Sequence, residues 1–343
     1  MASPDERYYL IALTLIPGIG NIRARALLNH YGSATAIFRS RPDLPWDFAS
    51  VDATLAFCRK HGVRIWCDTD PEYPFSLTQI TDRPKVLYFK GAANLHHPRI
   101  LSIVGTRLPS PYGKQMASDI VRDLAPYDII VLSGLADGID AIAHQAALRN
   151  GIPTVGVLAH GLDTIYPTGN RNLARDMLMK GGLLTEYIQG TRPETFRFPM
   201  RNRIIAGMST ATLVIESAAE GGSMITAKLA RAYNREVFAV PGRITDIKSG
   251  GCNLLILDLI AAIATSAADI ATDLNWEPRS HAPARVTAPN AILDLLHARE
   301  WVHVDELRTL SGLSPGDLAT KLLELELAGN ILHLPGNRYR LAH

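Results

Sequence analysis

Cysteine is scarce in this sequence, and the three present, Cys58, Cys67 and Cys252, form no CxxC pair. That count and spacing argue against a disulfide frame or a zinc site and fit free thiols in a reducing cytosol. An excess of one charge is also missing. Lysine and arginine number 35 against 33 aspartates and glutamates, a formal net charge of +2, so a nucleic-acid partner has to be met by local clusters of cations. Long apolar runs are absent near the start, where "MASPDER" is acidic and the run behind it breaks at Pro17; neither a signal peptide nor a membrane span is expected. Nucleotide and metal signatures are missing as well. No GxGxxG follows a strand, no HExxH appears, and "GTRLPSPYGKQ" is spaced too widely for a P-loop and places Gln115 where Ser or Thr belongs. These absences predict a cytoplasmic chain with no cofactor and no membrane partner.

What is present suits a globular protein. Of 343 residues, 47% are apolar and 20% charged, enough for two or three domains with a sizeable core. Residues 1–80 read as a module of short helices. In "YYLIALTLIPGIGNIRARALLNHYG" two helix-like stripes flank Pro17-Gly18-Ile19-Gly20, the form of a helix-hairpin-helix whose glycines let backbone N–H groups approach a phosphate. A plain turn between helices, packed on the next domain, fits the same letters.

Residues 81–274 alternate β and α. The runs "RILSIVG", "DIIVLSG", "TVGVLA", "LLTEY", "ATLVIES" and "EVFAVPG" are nearly continuous apolar strands, and 113–125, 138–150, 169–180, 203–209 and 222–234 hold crossover helices. That pattern predicts a doubly wound α/β domain with a parallel sheet covered on both faces. Residues 275–289, "NWEPRSHAPARVTAP", read as a linker. Residues 290–343 give helix, helix, helix and two strands around Pro335-Gly336-Asn337, the order of a winged helix. Its third helix, "SPGDLATKLLELELAG", carries one lysine and three acidic residues, the wrong charge for a major groove, so a protein-contact or regulatory module is favoured.

Ligands of an open α/β sheet bind beyond the carboxyl ends of its strands, near helix N-termini. Three such ends here carry glycines and hydroxyls: Gly105-Thr106-Arg107, Ser133-Gly134-Leu135-Ala136-Asp137, and Glu220-Gly221-Gly222-Ser223 with Thr226. Together they predict a phosphate-rich ligand. The stretch "FRFPMRNRIIAG" adds cations and aromatics. With Pro199 ending an extended piece, Arg201 and Arg203 fall in the first turn of a helix, where the macrodipole disfavours them unless an anion shares the site. Phe196 and Phe198 are placed to stack on bases, with Arg197, Arg201, Asn202 and Arg203 around the phosphates. The competing reading pairs Arg203 with an internal carboxylate such as Glu216 and buries the phenylalanines. Catalytic spellings are weaker. Asp140 and His144, four apart, fit an acid–base pair but more often a helix contact, and Ser314 in "GLSPG" suits a helix cap better than a nucleophile.

These residues resemble the DNA-processing protein A (DprA, also called Smf) family. "IVGTR" looks like the family's IVGSR, "SGLADGIDAIAH" like SGLARGID-x-x-AH, "GLDTIYP" like GLD-x-x-YP, "FPMRNRIIAG" like FPxRNRIISG and "EGGSMITA" like its SGSxxTA loop; "EVFAVPG" matches directly. The resemblance implies an extended Rossmann fold between a helical module of hairpin or sterile-α-motif type and a winged helix. It also implies a non-catalytic homodimer that binds and protects incoming single-stranded DNA in natural transformation and loads RecA onto it. The family's phosphate-contacting arginine falls on Arg107, its RNR pair on Arg201 and Arg203, and its hydroxyl loops on Ser133 and Ser223. Met200 and Asp137 depart from the pattern, each at a position where members usually carry a cation, and Ala159 replaces a usual glycine. A second family shares this Rossmann variant: the lysine-decarboxylase-like (LOG) nucleoside-monophosphate phosphoribohydrolases, with a loop comparable to Gly221-Gly222…Thr226. Here that loop lacks the preceding proline and the following Gly-Thr of PGGxGT.

Overall fold

The computed structural model describes residues 4–279, 291–297, 299 and 301–342. The chain divides after Arg279 into two compact units. The first opens with four helices, α1 (Pro4–Leu15), α2 (Asn21–Tyr31), α3 (Ala34–Ser40) and α4 (Phe48–His61). Ser33 and Asp47 cap α3 and α4 with their side chains, whereas α2 starts from Gly20 with no side-chain cap. Gly18, at φ +78°, makes the turn between α1 and α2.

Among the described residues nine strands form one sheet, in the order β1 (Arg64–Cys67), β2 (Val86–Gly91), β6 (Gly182–Thr185), β5 (Thr154–Val157), β4 (Ile130–Ser133), β3 (Ile100–Gly105), β7 (Ala211–Ile215), β8 (Glu236–Ala239), β9 (Ala262–Ile263). From β6 to β9 all pairs are parallel; β1 and β2 run antiparallel at one edge. The fold is the doubly wound α/β architecture, followed along the chain by a winged helix. Burial on both faces explains why the parallel strands read as unbroken apolar runs. In β3, Ile100 and Val104 join one core while Leu101 and Ile103 join the other.

The short helix α5 (Phe75–Thr78) precedes β2; α6 (Pro111–Asp123) and α7 (Ile139–Arg149) cover one face, and α8 (Arg171–Met177) follows β5. On the other face lie α9 (Arg197–Met208), α10 (Gly222–Ala232) and α11 (Gly250–Leu257), with α12 (Ala267–Asp273) closing the unit beside α6. Because β7 lies beyond β3, the connection from β6 to β7 has to recross β5, β4 and β3, and α9 makes that crossing. It leaves the topological switch point between β3 and β7.

Several expectations change. The segment read as wholly helical to residue 80 contains β1, whose four residues "RIWC" are too few to show a period. The helix expected at 203–209 begins at Arg197, so Pro199 lies in its first turn, where no intrahelical N–H bond is due, and Arg201 and Arg203 lie beyond that turn. Residues 275–279, read as linker, are anchored: Trp276 is buried against α12, the Arg279 N–H donates to the Pro126 carbonyl, and its guanidinium pairs with Asp128. The rest of that linker, from 280 to 289, lies outside the described residues. The apolar run at 253–264, "NLLILDLIAAIA", takes in most of α11, a turn and β9, and leaves Leu254, Leu257, Leu259 and Ile263 exposed.

The second unit has α13 (Ala291–His297), β10 (Val302–His303), α14 (Val304–Ser311), α15 (Pro315–Leu327), β11 (Ile331–Leu334) and β12 (Arg338–Leu341). Ser314 caps α15 by accepting from the Asp317 N–H, and Leu307, Leu318, Leu322 and Ile331 fill the core. No helix among the described residues is long and apolar enough to cross a membrane.

Candidate functional site

The switch point between β3 and β7 opens into a cavity of about 550 Å³. One wall is the turn after β3, Gly105 to Leu108; the opposite wall is the turn after β7 and the start of α10, with Ser217, Gly221, Gly222, Ser223 and Thr226. The first turns of α9 close it with Phe198, Arg201 and Asn202. Three segments singled out by sequence therefore meet.

Each contributes differently. Gly105 is glycine for packing, since a Cβ there collides with the Ile215 carbonyl and with Ile139. Gly221 likewise faces the Ser217 hydroxyl, while Gly222 has open space where a Cβ would stand. No side chain caps α10 at Gly221, and Gly221, Gly222 and Ser223 line the cavity, so the open start of the helix offers it an anion site. The Ser223 hydroxyl donates to Ser217 Oγ at 2.7 Å. Arg107 is exposed, makes no ion pair among the described residues, and lies 5.6 Å from the centre of the Phe198 ring.

Arg201 is nearly fully buried. Its Nη1 donates to the carbonyls of Gly134, at 2.8 Å, and of Val157, and its Nε donates to Asn202 Oδ1 at 3.2 Å. It thereby ties the carboxyl ends of β4 and β5 to α9. Asp140 stands behind it and accepts the N–H groups of Gly134 (3.1 Å) and Ala136 (3.3 Å). Burial pushes the Asp140 carboxyl up, against the pull of Arg201; burial also lowers the Arg201 guanidinium to about 10, with Arg107 pushing the same way. Two guanidiniums and one buried carboxyl leave the cavity short of negative charge.

Other predicted residues stand elsewhere. Ser133 is buried and donates to the Ile103 carbonyl at 2.5 Å, so it joins β4 to β3 and is not part of the cavity wall. The Gly134 N–H, expected to meet a phosphate, is taken by Asp140. Arg203 is buried and pairs with Glu186, not with Glu216. Glu216 instead accepts the Ser110 N–H at 2.8 Å and its hydroxyl, capping α6 from below. Glu186 Oε2 also accepts from Asn21 Nδ2 at 3.1 Å, so Arg203, Glu186 and the hairpin form one chain of contacts. Arg197 sits between the rings of Tyr187 and Phe196, 5.1 Å from each, and pairs with Glu194 at 3.3 Å; Phe196 is 58% exposed and outside the cavity wall.

Sequence reasoning missed Tyr166, which lines the cavity with its ring centroid 5.9 Å from that of Phe198, although "GLDTIYP" had drawn attention without suggesting a role. It also missed Glu186, whose partners lie far away in the chain. Asp140 and His144 do not form an acid–base pair: His144 is fully buried with Nδ1 2.6 Å from Thr154 Oγ1, and burial lowers it to about 3. Among the described residues no group of His, Cys, Asp and Glu is placed to hold a metal ion. The chemistry on offer is anion binding beside two aromatic rings.

Known proteins resemble this chain in sequence and fold. Residues 277–337 match the DprA winged helix domain. The DNA processing protein DprA of Bacillus subtilis is 40% identical over 228 residues, covering 66% of this chain and 76% of that one. The X-ray structure of DNA processing protein A from Streptococcus pneumoniae superposes with a TM-score of 0.69 at 29% identity, over 81% of this chain and 99% of that one. A Helicobacter pylori structure, described as showing a unique single-stranded DNA binding mode of DNA processing protein A, gives 0.57 at 29% identity, over 63% and 97%. The match of residues 64–275 to DNA recombination-mediator protein A spans the sheet and every wall of the cavity, and the chain belongs to that family.

Proposed function

We propose that the chain is a single-stranded DNA-binding protein of natural transformation, with the DNA backbone held in the cavity at the switch point. The observation that carries this reading is Arg107, an exposed guanidinium without an ion pair, facing an uncapped helix N-terminus across a cavity that also holds Arg201. Phosphates lie between Arg107 and the N–H groups of Gly222 and Ser223, and an unpaired base stacks on Phe198 and Tyr166. Duplex DNA is disfavoured because its paired bases cannot turn into the concave wall. The role is non-catalytic: Asp140 and His144 have buried partners and offer neither a general base nor a nucleophile.

Two partners complete the proposal. A second copy of the chain covers the exposed apolar residues at the β9 edge, Leu257 and Ile263 among them, giving a homodimer with two DNA sites. RecA receives the bound strand, as the resemblance to recombination mediators implies.

Arg107→Ala tests the central placement. Loss of one charge-assisted phosphate contact lowers single-strand affinity about ten- to a hundredfold. The melting temperature stays unchanged, because the side chain is exposed and makes no ion pair among the described residues. Unchanged affinity places the strand elsewhere.

A further inference from the structure

Beside the first cavity lies a second, of about 810 Å³, between the start of α2 and the paired helices α9 and α10. Its walls are apolar. Ile22 is 74% exposed, Met200 45% and Ile225 41%, and all three face this one hollow. Pro199 and Ile225 line both cavities, so the two adjoin along a shared rim.

Two cationic side chains at its edge want acceptors, while the lining carboxylate of Asp82 accepts the Tyr233 hydroxyl. Arg203 lines it, with Nη1 unpartnered although the residue is only 6% exposed. Helix α2 starts there from Gly20 without a side-chain cap, and the exposed Arg23 reaches only the Gly18 carbonyl, at 3.2 Å.

We infer that this second cavity holds unpaired bases of the same strand whose backbone occupies the first, which makes the N-terminal hairpin part of the DNA site. The inference rests on the single-strand reading above. A nucleobase has apolar faces and an edge of hydrogen-bond acceptors, which suits apolar walls beside Arg203. A strand that leaves the first cavity over Pro199 and Ile225 enters the second directly, and its next phosphate meets Arg23 and the first-turn N–H groups of α2. Met200 thereby has a use: an apolar side chain in a cationic stretch is a wall for bases.

The test uses the full chain and a labelled single strand of about a dozen nucleotides, intact or with abasic residues toward one end or the other. Abasic strands keep every phosphate and lose the bases. With wild type, one of the two abasic strands binds roughly tenfold more weakly than the intact strand. Ile22→Asp, at an exposed position that folding tolerates, binds the intact strand as weakly as wild type binds that abasic one, and no longer distinguishes the two. Equal binding of all three strands by wild type overturns the inference. So does full affinity in Ile22→Asp, which assigns the hollow to a protein segment instead; in that case Arg107→Ala still weakens binding and the first cavity keeps its role. If no strand binds wild type at all, both readings fall together.

Discussion

His144 is an imidazole with no access to solvent, and its surroundings choose its charge. Thr154 Oγ1 donates to the Val131 carbonyl and so accepts from Nδ1–H, which leaves Nε2 bare and unpartnered in the core. Protonation puts a charge there with nothing to receive it, hence the fall to about 3 from an ordinary 6.5. The unfolded chain therefore binds the proton first as pH drops. Stability attributable to His144 is full above pH 6.5 and is lost downward toward pH 3, at about 1.4 kcal/mol per pH unit. Asp140, with its carboxyl pushed up, acts in the opposite sense over its own window above the ordinary carboxylate value. Denaturant unfolding of wild type and His144→Gln from pH 7 to pH 4 isolates the histidine: wild type loses about 3 kcal/mol that the variant keeps. Parallel pH profiles contradict the assignment. The three thiols are inert for the same reason, with Cys58 and Cys252 pushed up to about 11 and Cys67 to about 12 by burial.

Helix α9 is where element and site meet. It recrosses the sheet, and its two buried arginines point to different tasks: Arg201 ties down the ends of β4 and β5, while Arg203 reaches Glu186 and through it Asn21 of the hairpin. Glu186→Ala leaves the Arg203 guanidinium buried and unpaired, a loss of about 3 kcal/mol or more. The damage falls on the hairpin's docking, so hydrogen exchange in α2 speeds up while α7, on the opposite face, stays protected. Unchanged protection in α2 means that Glu186 does not hold the hairpin. Parallel strands from β3 to β8 were legible because both of their faces are buried. Strands β1, β2 and β9 were not read: β1 and β9 have only two to four residues and carry no period, and all three take their places in the sheet through pairing. The arginine partners were hidden for the same reason: which carboxylate meets Arg203 depends on the return of β6 to the hairpin, not on any neighbour in sequence.

At the scale of the molecule, a chain with a net charge of only +2 builds a cationic site by concentration. Arg107 and Arg201 share one cavity with uncapped N–H groups, and a single buried carboxyl opposes them. The glycine-rich strand ends and "RNR" announced that site, but not the division of labour within it. Ser133 and Gly134 look like ligands in sequence and serve the scaffold in space, because a buried polar group takes the nearest partner. The most direct test of the account is anisotropy of a labelled single strand titrated at several salt concentrations, with a duplex of equal length as control. Two to three neutralised phosphates predict a roughly seven- to twentyfold loss of affinity between about 50 and 200 mM salt, with the single strand bound more tightly throughout. Binding that ignores salt, or a duplex bound as tightly as the single strand, would contradict it.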